Sequence, residues 1–363
     1  MSQPLSVTLV GLVAAGSSGV GRYAAALTHG LDRVQREFPE LRLTLLTNPR
    51  GADAVRVERI AVQVVGFGGR RAERGPLRLA LEHVLARRAR ADLLHFFDTT
   101  GPVLAPSKPF VTTAHDATIA YGFNPRRGGY KLRLYPWALK RARAIVAVSA
   151  FAGDEVARHF GADPAKIRVI HSGPGLTPPS DVEPPQDTDG TGTPFLLYVG
   201  NLAANKNLPF LVRAFAASGI PGRLVLAGRP GEGFEDLRDE LDGSPRCADI
   251  ELRTSASDAE IEALYRSATA LVLPSRYEGF GFTPLEAMAR GCPVVASDIP
   301  AVREVSGDGA LLVPLEEDAW VDALRRVAVE DLSDLRARGA ATVARYSWDE
   351  TARRLCALFA EQA

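Results

Sequence analysis

Leu271-Val272-Leu273-Pro274-Ser275-Arg276-Tyr277-Glu278-Gly279-Phe280-Gly281-Phe282-Thr283-Pro284-Leu285-Glu286 is the stretch on which the fold turns. Its first residues are apolar and rich in branched side chains, as a parallel strand covered on both faces requires. Its last residues read as a helix start at Thr283, with Pro284 at the first helical position, where a missing N–H costs nothing. A strand, a glycine-containing loop and a helix make one step of an α/β sheet. The loop then lies at the carboxyl end of the strand, the edge where open α/β sheets bind ligands. Free N–H groups at a helix start favour an anion there. Glu278 and Glu286 bracket this loop with seven residues between them. Two carboxylates beside an anion site suit a polyhydroxyl ligand that carries phosphate. Thr283-Pro284-Leu285-Glu286 also fits a capping box, in which Glu286 would only close the helix. Glu278 precedes the loop glycines, where a carboxylate stabilises no helix.

The run from Pro274 to Glu286, continued by Ala287-Met288-Ala289-Arg290-Gly291-Cys292-Pro293-Val294-Val295-Ala296-Ser297, closely resembles the donor-site signature of family 4 glycosyltransferases. The resemblance extends over nearly the whole chain. It implies the GT-B fold: α/β, two Rossmann-like doubly wound domains facing a cleft, with a C-terminal helix returning to the N-terminal domain.

The apolar pattern agrees with two such domains. Short apolar runs at 7–10, 43–46, 60–65, 93–96, 110–113, 145–148 and 167–170 alternate with amphipathic stretches, the β/α alternation of a parallel sheet. After Ile170 the pattern breaks into a segment rich in Pro, Gly, Asp and Thr, and a second alternation follows with runs at 195–199, 224–227, 250–252, 271–273, 294–296 and 311–313. We therefore expect an N-terminal domain over 1–175, completed by 347–363, a linker over 176–193 and a C-terminal domain over 194–346. Trp348, Thr351, Leu355, Leu358 and Phe359 recur at helical spacing. By the resemblance, this last helix is the one that returns. Asp187-Thr188-Asp189 imitates an acid-x-acid metal site but falls in the linker with no strand before it, and reads as a solvated loop. No other metal constellation appears.

At 363 residues the chain exceeds one ordinary core. No apolar stretch approaches the ~20 residues that span a bilayer, and no charged leader with a small-residue cleavage site opens the chain, so a cytoplasmic protein is expected. Cys247, Cys292 and Cys356 lack metal-ligand spacing and read as free thiols. Net charge is zero, yet residues 1–172 hold 25 Lys and Arg against 13 Asp and Glu, leaving 43 − 25 = 18 basic and 43 − 13 = 30 acidic residues beyond. An N-terminal half near +12 points to an anionic partner, a phosphate-bearing acceptor or a membrane surface. No recognition motif accompanies the charge, so nucleic acid is not expected. Two basic stretches, Arg70 to Arg90 and Arg126 to Arg143, interleave arginine with Leu, Tyr130, Tyr135 and Trp137. Each reads as a solvated helix face, with a peripheral membrane contact as the second use open to it.

Three further constellations sit at strand ends. Gly16-Ser17-Ser18-Gly19-Val20-Gly21-Arg22-Tyr23 follows the first apolar run, where Gly19 and Gly21 either make a tight turn or let backbone N–H groups approach a diphosphate or sugar. It resembles the Gly-Gly-Val-Gly-Arg-Tyr loop of the family, with Ser18 in place of the first glycine. His115-Asp116 comes just after the strand-like run Phe110-Val111-Thr112-Thr113, again at a carboxyl end. Tyr198-Val199-Gly200-Asn201-Leu202-Ala203-Ala204-Asn205-Lys206-Asn207 opens the second domain, with Lys206 able to meet a diphosphate and Asn207 placed to cap a helix. Asn201 stands where the family often has Arg, and either Arg229 or Arg276 could compensate.

The resemblance supplies roles. His115 would contact the transferred sugar and Asp116 the sugar or acceptor; Glu278 would hold sugar hydroxyls and Glu286 the ribose. Lys206 would neutralise the leaving diphosphate, with Gly279, Phe280, Gly281, Phe282 and Thr283 around the donor. It implies a retaining, metal-independent hexosyl transfer with a nucleotide sugar as substrate and no resident cofactor, to a glycan or lipid-linked acceptor. The donor would be held mainly by the C-terminal domain and the acceptor by the N-terminal one. The likeness of His115-Asp116 and Lys206-Asn207 to mannosyltransferases leans toward GDP-mannose, with UDP- and dTDP-linked sugars close behind. A sugar-nucleotide epimerase or hydrolase, or a non-catalytic nucleotide-sugar-binding subunit, would use the same scaffold.

Overall fold

Every apolar run singled out above becomes a parallel strand. The computed structural model describes residues 3–12, 19–66, 75–99, 108–123, 125–175 and 193–362. The chain divides into two units, Met1–Leu176 with Tyr346–Ala363, and Thr177–Arg345.

In the first unit, β1 (Leu5–Val10), β2 (Leu41–Thr47), β3 (Ala61–Val64), β4 (Leu93–Phe96), β5 (Phe110–Ala114), β6 (Ala144–Ala147) and β7 (Ile167–Val169) form one sheet in the order β3-β2-β1-β4-β5-β6-β7. In the second, β8 (Phe195–Val199), β9 (Arg223–Ala227), β10 (Ile250–Arg253), β11 (Ala270–Leu273), β12 (Val294–Ser297) and β13 (Leu311–Val313) take the order β10-β9-β8-β11-β12-β13. All described pairings are parallel. Each sheet is therefore doubly wound, as expected from the resemblance. The order reverses between β1 and β4 and between β8 and β11, and the carboxyl ends beside such reversals are the ligand-binding places of this architecture.

The central strands are apolar because helices cover both faces. Leu271 and Val272 of β11 and Val294 and Val295 of β12 are fully buried. The edge strands are less covered, β3 most of all, with Val62 and Val64 exposed. Helix ends carry the expected chemistry: Ser149 caps the helix Ala150–Phe160, which stops at left-handed Gly161, and Ser257 with Glu260 forms a capping box on Asp258–Ser267.

The helix Trp348–Glu361, capped by Ser347, packs on the helix Gly19–Val34 of the first unit. Its buried stripe is Thr351, Ala352, Leu355, Cys356, Leu358 and Phe359, and each large apolar member contributes roughly 1.5–3 kcal/mol. The close approach needs Gly30: a Cβ there would lie 2.7 Å from the Trp348 carbonyl oxygen. Trp348 lies against Gly173 and donates its indole N–H to the Gly175 carbonyl at 2.9 Å, while Thr351 bonds the His171 carbonyl at 2.8 Å. Residues 176–192, including Asp187 and Asp189, and the loop residues Gly16, Ser17 and Ser18 lie outside the described residues, as do residues 70–74 of the first basic stretch.

Candidate functional site

The second unit brings together the two loops that leave β8 and β11, the strands on either side of its reversal, and with them the candidate residues. Arg276 N–H donates to the Asn205 carbonyl at 2.8 Å, and the Asn205 side-chain amide donates to the Tyr277 carbonyl at 3.2 Å. These bonds align Lys206 with Glu278, and Lys206 Nζ meets Glu278 Oε1 at 2.6 Å. Ser275 Oγ donates to the same oxygen at 2.7 Å, and Ser297 Oγ holds the Ser275 carbonyl at 2.5 Å. Both charged heads remain partly open to solvent, at 18% and 13% of their side-chain surface.

The turn after β8 is a crossing of two glycines. Gly200 has φ +149, and a Cβ on Gly228 would stand 1.6 Å from the Gly200 carbonyl oxygen. The Tyr198 hydroxyl donates to the Asn201 carbonyl at 2.8 Å, fixing the loop from below. Burial and the nearby Glu278 charge push the Tyr198 phenol well above its ordinary range, so it stays a donor. Asn201 and Arg229 are exposed on the two crossing loops, whose backbones are joined by Leu202 N–H to the Arg229 carbonyl at 2.9 Å. Arg276 is exposed beside Lys206's loop.

Three local readings need correction. The helix after Glu278 spans Phe282–Met288 rather than beginning at Thr283, because Gly281, at φ +97, takes the cap position and Pro284 falls third. The capping box proposed for Thr283 and Glu286 is consequently absent: the helix has no side-chain cap, and Glu286 Oε2 accepts from the Tyr265 hydroxyl at 3.2 Å. Asn207 occupies the cap position of the helix Leu208–Ser218 but makes no side-chain cap bond, since it is left-handed, at φ 57, after the 3₁₀ turn Ala204–Lys206. Around Gly281, the rings of Phe280 and Phe282 meet at 4.8 Å; Phe280 is buried, while Gly279 and Thr283 are half-buried.

In the first unit, His115 and Asp116 leave the carboxyl end of β5. His115 Nε2 lies 2.8 Å from the Phe97 carbonyl, which can only accept, so the ring proton sits on Nε2 and Nδ1 is left as an acceptor. Burial holds the imidazole pKa below its ordinary value, against the pull of the Phe97 carbonyl and, more weakly, of Asp116 and Asp98, and so favours the neutral ring. Asp116 Oδ1 accepts the Thr118 N–H at 2.9 Å, which ties one oxygen to the following turn. Gly19 opens the helix Gly19–Val34 with open space at its Cβ position, and Gly21 is buried in its first turn. One turn further along, the Tyr23 ring meets that of His115 at a right angle, with centroids 4.6 Å apart, and also meets Trp348 at 5.6 Å.

Tyr265 escaped the sequence reading, while Ser275, Tyr198 and Tyr23 stand inside the quoted motifs but were given no role there. Ser275, three residues before Glu278 and just after a buried strand, carried a usable signal; Tyr265 reads only as a core position of its helix. Among the described residues no three His, Cys, Asp or Glu side chains are grouped so as to hold a metal ion.

The fold and the strand-end loops define a molecule of the GT-B type, and the comparisons agree. The chain superposes on sucrose-phosphate synthase of Thermosynechococcus elongatus with a TM-score of 0.75 over 99% of both chains at 20% identity. On Anabaena HepE, solved in complex with UDP and glucose, it gives 0.70 over 98% of this chain and 100% of that one at 17% identity. The Glycosyltransferase Family 4 model matches residues 17–174, and the model for glycosyl transferases group 1 matches residues 193–330. The chain belongs to glycosyltransferase family 4. It is 32% identical over 224 residues to the O-antigen chain mannosyltransferase RfbU of Salmonella typhimurium and 30% over 257 residues to the O-antigen chain mannosyltransferase B of Escherichia coli. It is 31% identical over 255 residues to the GDP-mannose:cellobiosyl-diphosphopolyprenol alpha-mannosyltransferase of Xanthomonas campestris. The matches cover 60%, 66% and 66% of this chain and 59%, 67% and 64% of those relatives.

Proposed function

We propose that this protein transfers a mannosyl residue from GDP-mannose to a glycan or lipid-linked acceptor, with retention of configuration and without need of a metal ion. The observation that carries the reading is the ion pair of Lys206 with Glu278 at the carboxyl ends of β8 and β11. Departure of a nucleoside diphosphate develops negative charge. An ammonium has three donors, of which Glu278 takes one, so Lys206 can meet the diphosphate oxygens while staying fixed. In this reading the loop from Gly279 to Thr283, with Asn201 and Arg229, completes the set of residues that hold the donor. Glu278, an acceptor of two oxygens, takes hydroxyls of the transferred sugar, and Glu286 those of the ribose.

In this reading residues 194–346 hold the donor, while residues 1–175 and 347–363 serve the acceptor. His115 Nδ1 accepts a hydroxyl of the transferred sugar, Asp116 meets the sugar or acceptor, and Gly19 and Gly21 let the backbone come close to the ligand. The acceptor attacks from the face the diphosphate leaves. Mannose is favoured over other hexoses by the three relatives, two named as O-antigen chain mannosyltransferases and one for GDP-mannose. The reading places the protein in the cytoplasm, with the basic half able to rest on an anionic membrane.

The test incubates the protein, in excess EDTA, with GDP-, UDP- and dTDP-sugars and a polyprenyl-diphosphate-linked glycan. Sugar transfer from GDP-mannose with an α-linked product is expected. Nucleotide release at the same rate without acceptor points instead to a hydrolase or epimerase, and donor binding without turnover to a binding subunit. Sedimentation with phosphatidylglycerol vesicles at low salt tests the membrane contact, which fails if the protein stays in the supernatant.

A further inference from the structure

Glu286 does not stand alone. Its Oε2 accepts the hydroxyl of Tyr265, which projects from the helix Asp258–Ser267 and is buried. The Arg290 guanidinium lies over the Tyr265 ring, 5.3 Å from its centroid. Arg290 is itself anchored twice, by Nε to Glu262 Oε2 at 2.6 Å and by Nη1 to the Glu286 carbonyl at 2.9 Å, and Glu262 is also held by Arg266 at 2.7 Å. The last torsion of a glutamate is broad and has no staggered well to hold it. A carboxylate that grips two neighbouring hydroxyls must nevertheless keep its plane fixed, or the gain of the second bond is lost to reorientation.

We propose that Tyr265 is the positioning residue of the donor site: its hydroxyl sets the plane of the Glu286 carboxylate so that the acid receives the vicinal diol of a ribose, and Arg290 with Glu262 keeps the Tyr265 ring in place. This rests on the reading that Glu286 holds ribose hydroxyls. The phenol is a dependable donor, because burial and the Glu286 charge raise its pKa well above the ordinary value. It therefore never competes with the diol as a base. The network makes the site selective for ribonucleotides over their deoxy forms without Tyr265 touching the ligand.

The test is a binding cycle by calorimetry, with GDP and UDP each measured against its 2′,3′-dideoxy form on the wild-type chain, Tyr265→Phe and Glu286→Ala. The phenylalanine keeps the ring under Arg290 and removes only the hydroxyl. A hydrogen bond to a charged group is worth about 1.5–3 kcal/mol, so Tyr265→Phe should reduce the preference for the ribose form by about tenfold or more. Affinity for the dideoxy form should stay within about twofold, which a general loss of structure would not allow. If Glu286→Ala abolishes the ribose preference while Tyr265→Phe retains it in full, Tyr265 is merely structural and the proposal falls. If the wild-type chain shows no preference, or binds neither nucleotide, the reading of Glu286 falls first and takes the proposal with it.

Discussion

Lys206 and Glu278, 72 positions apart in sequence, meet at 2.6 Å because the loops that carry them leave adjacent parallel strands at the reversal of the second sheet. Two crosslinks through Asn205, one backbone and one side-chain, hold the loops in that register. Lys206→Ala and Glu278→Ala should each lower turnover by about 10²–10³-fold, the range for losing one preorganised electrostatic contact. Thermal denaturation should show both variants folded, since the pair is partly exposed. Wild-type turnover in either variant removes the pair from the mechanism.

Gly228 faces Gly200 so closely that no side chain fits. Gly228→Ala would drive its Cβ into the Gly200 carbonyl oxygen, and backbone cannot swing aside as a side-chain tip can. A loss on the order of 3 kcal/mol is expected in urea denaturation, with donor binding weakened by the displaced loop. An alanine variant of unchanged stability would mean the two loops are less tightly crossed.

Trp348 should separate packing from hydrogen bonding. Replacing it with alanine removes the indole from Gly173 and Tyr23 and should cost about 3 kcal/mol. Trp348→Phe keeps much of the ring and loses the bond to Gly175, at about 1 kcal/mol. Equal losses in the two variants would contradict this division.

Acid should destabilise the first unit through His95. This side chain lies in β4, fully buried between the rings of Phe97 and Phe359, with Nε2 3.1 Å from Thr113 Oγ1. Burial, with His115 nearby as a smaller cause, lowers its pKa to about 3. The unfolded chain binds a proton near pH 6.5 and the folded one does not, so this contribution is intact above pH 6.5 and declines as pH falls toward 3. Stability followed by denaturant titration should fall by up to about 1.4 kcal/mol per pH unit from this group below pH 6. His95→Gln should flatten that slope; an identical slope would assign the loss to other groups.

The central parallel strands were legible in the sequence because burial on both faces leaves an uninterrupted apolar run, and the edge strands because they keep enough apolar residues in the same β/α alternation; the thirteen runs are the thirteen strands of the two sheets among the described residues. The edge position of β3 was not, because edge and interior differ in what covers them, which is a property of the sheet. At the site, Glu278 stood out because a carboxylate before two glycines stabilises no local structure. Glu286 stayed ambiguous because a local cap and a ligand contact both suit a glutamate at that spacing, and the cap is removed only by the left-handed Gly281 at the helix start, which nothing in the spacing announces. Asn207 misled for a similar reason. Asparagine is favoured both as a helix cap and in left-handed backbone, and the preceding 3₁₀ turn selects the second. His95 gave no signal at all, since nothing in a four-residue strand marks which side chain will end between two aromatic rings.

The docking of Trp348–Glu361 on the helix Gly19–Val34 has a consequence for biosynthesis. The first unit cannot complete its interior until the ribosome has translated the whole of residues 177–345, which is 345 − 177 + 1 = 169 residues. At roughly 5–20 residues per second, the apolar flank of a nascent sheet waits some ten to thirty seconds, in order of magnitude, for the segment that seals it. During that interval the newborn chain offers a chaperone a greasy surface that the finished protein hides.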